Sequence, residues 1–385
     1  MGGNTRISVP VLVREVHDKP LRLFFDKDSN CQINAGNQIK LDEIDGSAVR
    51  DLNQRFISAM AVAARLSTSE INLNRGVSEE VLLLLKETGI ACYNLLGDSF
   101  HQALEKYDLN SGNTNIIILS PASFPLLWEF VYTGSPLTAL DIDLFWGVRH
   151  RLTRILSGVT ESRGCTESAG RFLFCQNKKL AYSNSERILL EKLSSENEVS
   201  FNLLDDVFLQ FAGDMEETPD KIMMTWAAGG FDFIHVASHL EAPQEGKVDL
   251  LDSKIKLTIM EDDANLSLVY LLSRYKVEEF RLVRSPLIFL NACKTMTNPA
   301  HLSHNQCFPK TFMKFGAGAV IATACDVPDI FANEFAKKYY EFLYQSEVGW
   351  WDSLSDALRK TREYFLCEFN NPLGLAYGLY TQYDY

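Results

Sequence analysis

The chain has 385 residues and a formal net charge of -13. Binding a nucleic acid requires clustered Lys and Arg that neutralise phosphates, and an anionic membrane surface repels an acidic protein. We therefore expect neither nucleic acid nor a membrane as a partner. Hydrophobic residues make up 46% and charged residues 23% of the chain. This composition is ordinary for a globular protein, and the length allows two or three domains.

The eight cysteines are scattered along the chain and form no CxxC motif. The opening stretch, MGGNTRISVPVLVREV, lacks the charged and apolar regions of a signal peptide. No run of residues reaches the ~20 apolar positions that a membrane-spanning helix needs. These features predict free thiols in a reducing compartment, and we expect a cytoplasmic protein.

The first half of the chain predicts two units. Residues 7–42 alternate between apolar and polar side chains, which favours a small antiparallel β unit at 1–46. The segment 47–160 is typical of helices followed by a short buried strand, NIIIL at 115–119. A polar stretch at 161–170 then separates this segment from the second half.

From residue 171 to residue 385, apolar strands alternate with amphipathic helices. This alternation predicts an α/β fold with a doubly wound, largely parallel sheet flanked by helices. Ligand sites on such sheets lie beyond the carboxyl ends of the strands. The main predicted strands are Arg171–Phe174, 198–204, Phe231–Ser238, Leu287–Leu290 and Ala319–Ala324.

Two reactive side chains follow two of these strands. His239 comes directly after Phe231–Ser238, and Cys293 follows Leu287–Leu290. If the strands are parallel neighbours, both side chains reach the same rim of the sheet. A thiolate can then attack a carbonyl carbon while the imidazole carries a proton to the leaving amine. The alternatives are a buried structural thiol and a hydrogen-bonded strand-end histidine, and His235 is predicted to be a core histidine.

Several motifs resemble those of the CHAT-type caspase-like cysteine proteases, which are relatives of caspases and separase. The resemblance extends over roughly residues 50–382. Its motifs are FPLLWEFVYTG at 124–134, ERILLEKL at 186–193, HVASH at 235–239, LIFLNAC at 287–293, FPKTFMKFGAGAVIATACDVPD at 308–329 and DALRKTREYF at 356–365.

The resemblance implies a role for each residue of the predicted site. His239 would be the general acid/base and Cys293 the nucleophile, with the backbone N–H groups of Leu240 and Cys293 holding the oxyanion. The family usually has Gly after the catalytic histidine, where this chain has Leu240, so the loop conformation is expected to differ. The resemblance also implies a non-catalytic half at 47–160 and a catalytic half at 171–385.

The family resemblance further implies an endopeptidase that acts on a protein, in bacterial antiviral defence or regulated cell death. Expected partners are a pore-forming or regulatory protein encoded nearby and an activating partner. The rival hypothesis is a catalytically silent scaffold of the same fold for protein–protein interaction. A nucleotide-sensing domain is disfavoured because Gly316-Ala317-Gly318 lacks the Lys-Ser or Lys-Thr of a phosphate loop, and we expect no cofactor.

Two acids after the strand at 319–324 are candidates for substrate binding. In separase-like enzymes, an acid after this strand receives a basic side chain, so Asp326 and Asp329 imply cleavage after a basic residue, with Leu or Met as the alternative. Either acid can instead cap the helix that starts near Ile330. Asp329 fits capping better, which leaves Asp326 as the preferred pocket residue.

A short loop offers a competing metal site. His301, His304 and Cys307 have ligand-like spacing and could complete a tetrahedral zinc site with Cys293. A loop beside the active site is the preferred interpretation, because there is no second cluster of metal-ligating residues. We therefore expect no metal.

Overall fold

The computed structural model describes residues 21–25, 30–33, 38–40, 46–107, 109, 112–120, 126–156, 170–212, 217–241, 253–276, 280–292, 307–347, 349–351 and 353–381. These residues contain one sheet of thirteen strands. The strands are β1 (Leu21–Phe25), β2 (Asn30–Ile33), β3 (Gln38–Lys40), β4 (Asn115–Ser120), β5 (Arg151–Leu156), β6 (Arg171–Gln176), β7 (Ser200–Leu203), β8 (Phe233–Glu241), β9 (Lys254–Ile259), β10 (Asp262–Ser267), β11 (Leu287–Ala292), β12 (Ala319–Thr323) and β13 (Tyr377–Thr381).

The sheet consists of two parallel blocks that meet at an antiparallel pair. One block has the order β7-β6-β8-β11-β12, and the other has the order β13-β5-β4-β1. Strands β12 and β13 join the blocks in antiparallel orientation. The hairpins β1–β2–β3 and β9–β10 add antiparallel edges. The predicted α/β fold with a largely parallel sheet is confirmed.

Helices cover both faces of the sheet. Helices α5, α10 and α11 form a layer on one face, and α6 to α9 lie on the other. Among the described residues the α-helices are α1 (Gly46–Leu66), α2 (Arg75–Leu95), α3 (Gly97–Leu104), α4 (Trp146–Arg149), α5 (Ser183–Glu196), α6 (Leu204–Ala212), α7 (Thr218–Ala228), α8 (Leu268–Arg274), α9 (Phe308–Lys314), α10 (Asp329–Tyr344) and α11 (Leu354–Phe369). None of the described helices has the length and apolar character needed to cross a membrane.

The central strands are buried on both faces, which explains their continuous apolar sequence. Every residue of Leu287–Leu290 in β11 has 0% of its surface exposed. Helix α10 covers this region because its apolar residues recur every three or four positions, as in Phe331, Phe335 and Tyr339. This packing fixes the strands that lead to the predicted site.

A buried ionic cluster joins the two halves of the chain. Glu129, in a 3₁₀ turn at Trp128–Phe130, pairs with Arg154 of β5. Arg362 of α11 lies 3.6 Å from the same carboxylate and donates to the carbonyl oxygen of Tyr377 at 2.5 Å. Because the sheet runs continuously through all three predicted units, their boundaries at 46, 160 and 171 stay a prediction.

The observed strands differ from the predicted ones in three places. Strand β8 extends to Glu241 instead of ending at Ser238. The hairpin β9–β10 occupies a region that the sequence analysis left without strands. Strand β13 pairs with both β12 and β5, although no strand is predicted there.

Candidate active site

His239 lies inside a strand, which corrects the prediction that it follows one. The hairpin β9–β10 pairs with the end of β8 and prolongs it, with His239 opposite Lys256 and Leu240 opposite Ile255. The Ser238 hydroxyl also donates to the carbonyl oxygen of Lys256 at 2.5 Å. The side chain of His239 is exposed. Leu240 therefore belongs to an antiparallel ladder and not to the expected loop.

Cys293 lies outside the described residues, which end at Ala292 in this part of the chain. The strand before it, β11, is the parallel neighbour of β8. Their register runs from Leu287 opposite Phe233 to Ala292 opposite Ser238. Each pair is separated by 54 positions in the sequence, and the same separation links His239 to Cys293.

His235 is a core histidine, as predicted. Its ring is fully buried, with 0% of the residue exposed. Its Nε2 lies 2.8 Å from Oε1 of Glu186, and its Nδ1 lies 3.3 Å from the Tyr340 hydroxyl. Phe289 packs edge-on against the ring with a centroid separation of 5.0 Å. Because alternate strand residues share a face, His239 belongs to the same face as His235.

Glu186 is the central residue that the sequence analysis did not identify. It is 4% exposed and lies on the face of α5 that turns towards the sheet. The Asn291 side chain donates to its Oε1 at 2.6 Å and to the carbonyl oxygen of Ala332 at 3.0 Å. Tyr377 donates its hydroxyl to Oδ1 of Asn291 at 2.9 Å. The one sequence feature that could have identified Glu186 is a charged residue at a position of the helix where apolar, buried residues are expected.

A small cavity opens beside these groups. Its volume is about 10 Å³, which is room for about one water molecule. The lining comprises Leu180, Tyr182, Ser183, Glu186, Ser238, Asn291, Thr323, Val327, Asp329, Ala332 and Tyr377. The cavity therefore adjoins the ends of β8, β11 and β12, which is the rim predicted to hold the site.

The two candidate acids occupy different environments. Asp329 is half-buried and lines the cavity, whereas Asp326 is exposed and does not. Burial raises the pKa of the Asp329 carboxyl, and the nearby charge of His239 and the Ala181 amide oppose that rise. Pro328 occupies the N-cap of α10 and Asp329 is its first helical residue, so neither acid stands at the N-cap position. This placement favours Asp329 as the pocket candidate, and the role of either acid in substrate binding stays a prediction.

The proposed zinc ligands fall mostly outside the described residues, since His301, His304 and Cys293 are not among them. Cys307 is buried at the N-cap position of α9, and burial raises the pKa of its thiol. Across the described ranges, no three His, Cys, Asp or Glu residues are grouped in a way that could hold a metal ion.

A family model for the CHAT domain matches residues 149–368, more than half of the chain. The chain belongs to the CHAT domain family. This result confirms the resemblance carried by the sequence motifs, and the matched range contains the strands β8, β11 and β12 that form the rim. No curated protein matches this CHAT chain at a significant level.

Several solved structures are distantly similar. The complex of the RgpB pro- and mature domains of Porphyromonas gingivalis is 10% identical, with coverage of 87% of this chain and 75% of that one and a TM-score of 0.43. The Saccharomyces cerevisiae separase–securin complex is 13% identical over 88% of this chain, which spans 22% of that chain, with a TM-score of 0.41. A structure described only as a protease is 8% identical, with coverage of 87% and 75% and a TM-score of 0.42. With TM-scores this low, none of these structures supports a conclusion about the function of this chain.

Proposed function

We propose that the chain is a cysteine endopeptidase with Cys293 as nucleophile and His239 as general acid/base. One observation carries this proposal: β8 and β11 are parallel neighbours whose register has the separation of His239 and Cys293 in the sequence. If that register continued by one pair, position 293 would lie opposite His239. Neighbouring residues on parallel strands lie within reach of a shared substrate.

The proposed reaction has two stages. An imidazole next to the thiol favours the thiolate, which attacks the peptide carbonyl carbon and forms a C–S bond. The backbone N–H groups of Leu240 and Cys293 would hold the resulting oxyanion. His239 gives its proton to the leaving amine as the C–N bond breaks, and then takes one from the water that hydrolyses the thioester.

The substrate is proposed to present a basic residue before the scissile bond. Asp329 supports this proposal because its half-buried carboxyl lines the cavity at the rim and is close enough to His239 to feel its charge, so it can pair there with a cation. Because the cavity holds about one water molecule, the basic side chain would reach Asp329 from the rim instead of filling the cavity. A large apolar residue remains the alternative, and Asp326 is the second candidate acid.

The biological setting is proposed from the family resemblance alone. Antiviral defence or regulated cell death in bacteria would supply a protein substrate, such as a pore-forming or regulatory protein encoded nearby. An activating partner would then control the enzyme. A catalytically silent scaffold remains the competing function.

The direct test is turnover of a fluorogenic peptide library by the wild-type protein and three variants. We expect Cys293→Ala and His239→Ala to abolish turnover. Loss of a covalent nucleophile reduces kcat by far more than about tenfold, and loss of His239 removes the proposed general acid/base. The matched control is Cys367→Ala, because Cys367 is an exposed thiol in α11, and it should retain full activity. Residual turnover by Cys293→Ala within about tenfold of wild type would rule out this nucleophile, and a wild type without turnover would favour a scaffold.

A further inference from the structure

A buried carboxylate bridges the two strands that lead to the proposed catalytic pair. Glu186 Oε1 accepts hydrogen bonds from His235 of β8 at 2.8 Å and from Asn291 of β11 at 2.6 Å. A carboxylate that is 4% exposed is unfavourable unless charge-assisted hydrogen bonds compensate for its lost hydration. Both distances are short, as charge-assisted hydrogen bonds are. Since a carboxylate only accepts, Nε2 of His235 carries the proton.

Each donor lies a few residues before one of the proposed catalytic residues in the sequence. Asn291 is two positions before Cys293, and His235 is four positions before His239. Each donor is also held by a second partner, because Tyr377 donates to Asn291 and the Tyr340 hydroxyl contacts His235. The network therefore ties α5, α10 and β13 to β8 at His235 and to the end of β11 at Asn291.

The described register pairs β11 with β8 further along its length than with β12. Strand β12 pairs with β11 only as far as Phe289, opposite Ile321. Beyond Phe289, the described register continues on the β8 side alone, through Asn291 and Ala292. Along this part of β11, the Asn291 side chain adds lateral contacts to Glu186 of α5 and to the carbonyl oxygen of Ala332 of α10.

We propose that Glu186 is a positioning residue that holds β8 and the end of β11 in register so that the Cys293 sulfur meets the His239 imidazole. This inference rests on the proposed cysteine-protease function and deepens it. Glu186 acts through Asn291 and His235 and does not contact the substrate. A displacement of about 1 Å between reacting groups can reduce a rate about 100-fold, so loss of this bridge affects catalysis more than substrate binding.

The test compares four variants by kcat, KM and the pH dependence of Cys293 alkylation by iodoacetamide. Glu186→Ala removes both hydrogen bonds. We expect it to lower kcat about 100-fold with little change in KM, and to raise the alkylation midpoint towards the ~8.5 of a free thiol. Glu186→Gln keeps an acceptor oxygen for both donors and should stay close to wild type. Asn291→Ala cuts only the link to β11 and should reproduce the raised midpoint even if Glu186→Ala does not fold.

The matched control is Glu191→Ala on the same helix. Glu191 pairs with Arg187 at 2.9 Å and its side chain is 54% exposed, so its removal should change neither kcat nor the alkylation midpoint.

The outcomes distinguish failure of the proposed function from failure of the positioning role of Glu186. A wild-type Cys293 that titrates like an ordinary thiol contradicts the proposed function itself. A depressed midpoint in the wild type that persists in both Glu186→Ala and Asn291→Ala overturns only the positioning role. A lower melting temperature with unchanged midpoint and kcat also overturns it, because it assigns Glu186 to stability alone.

Discussion

Asp329 and Asp326 form a natural matched pair for testing specificity. Both follow β12. Asp329 lines the cavity, which Asp326 does not, and the charge of His239 acts on the Asp329 carboxyl. We expect Asp329→Asn to reduce kcat/KM for peptides with Arg or Lys before the cut about 10- to 100-fold relative to Leu peptides, because a charge-assisted bond is lost. Asp326→Asn should leave that ratio within about threefold, since exposed ion pairs contribute little.

The ratio of basic to apolar substrates is the measurement that decides between the two acids. It cancels any general effect of Asp329 on His239. A larger effect of Asp326→Asn would return the pocket role to Asp326, and an unchanged ratio in both variants would remove the basic-residue preference.

Single residues were predictable where their chemistry depends on local sequence. The buried state of His235 followed from its position inside an apolar strand. The importance of Glu186 did not, because its partners on β8 and β11 lie 49 and 105 residues away along the chain. The ranking of Asp326 and Asp329 stays a prediction, and the position of Asp329 in the cavity lining could not be read from the sequence because it depends on the packing of α5, β8 and β11 around it.

At the level of elements, strands with strong apolar runs were predicted and weakly patterned ones were not. Strand β10 exposes Asp262, Asp263 and Asn265 and buries only Ala264 and Leu266, so its sequence DDANLS carries little β signal. Its partner β9 is the strand that pairs with His239. The missed hairpin explains why the end of β8 was placed three residues too early.

Across the whole molecule, the buried cluster of Glu129, Arg154 and Arg362 connects the two halves. The side chains of Glu129 and Arg362 are 2% and 0% exposed, so their charges depend on each other for compensation. Arg154 also donates to the Tyr380 hydroxyl at 3.1 Å. The partners come from distant motifs, WEF at 128–130 and KTREYF at 360–365. The motifs were visible in the sequence, but their contact was not.

We expect Glu129→Gln to lower the free energy of unfolding by about 3–5 kcal/mol, because two buried guanidinium groups lose their counter-charge. Urea denaturation measures this change. The control is Glu196→Gln, which breaks an exposed pair with Lys192 whose side chains are 54% and 70% exposed, and it should change stability by less than about 1 kcal/mol. Equal changes in the free energy of unfolding for the two variants would show that the buried cluster does not hold the two halves together.

The central claim, that Cys293 and His239 form the catalytic pair, is tested most directly by locating the reactive thiol. The native protein is treated with a limiting amount of an iodoacetamide probe, and the modified cysteines are identified by peptide mass spectrometry. We predict selective modification of Cys293 that is suppressed in His239→Ala. The internal reference is Cys367, which is exposed. Partial burial and nearby carboxylates raise the pKa of its thiol, so it represents a cysteine that is not activated. Labelling of Cys293 no faster than that of Cys367, or unchanged in His239→Ala, would contradict the account.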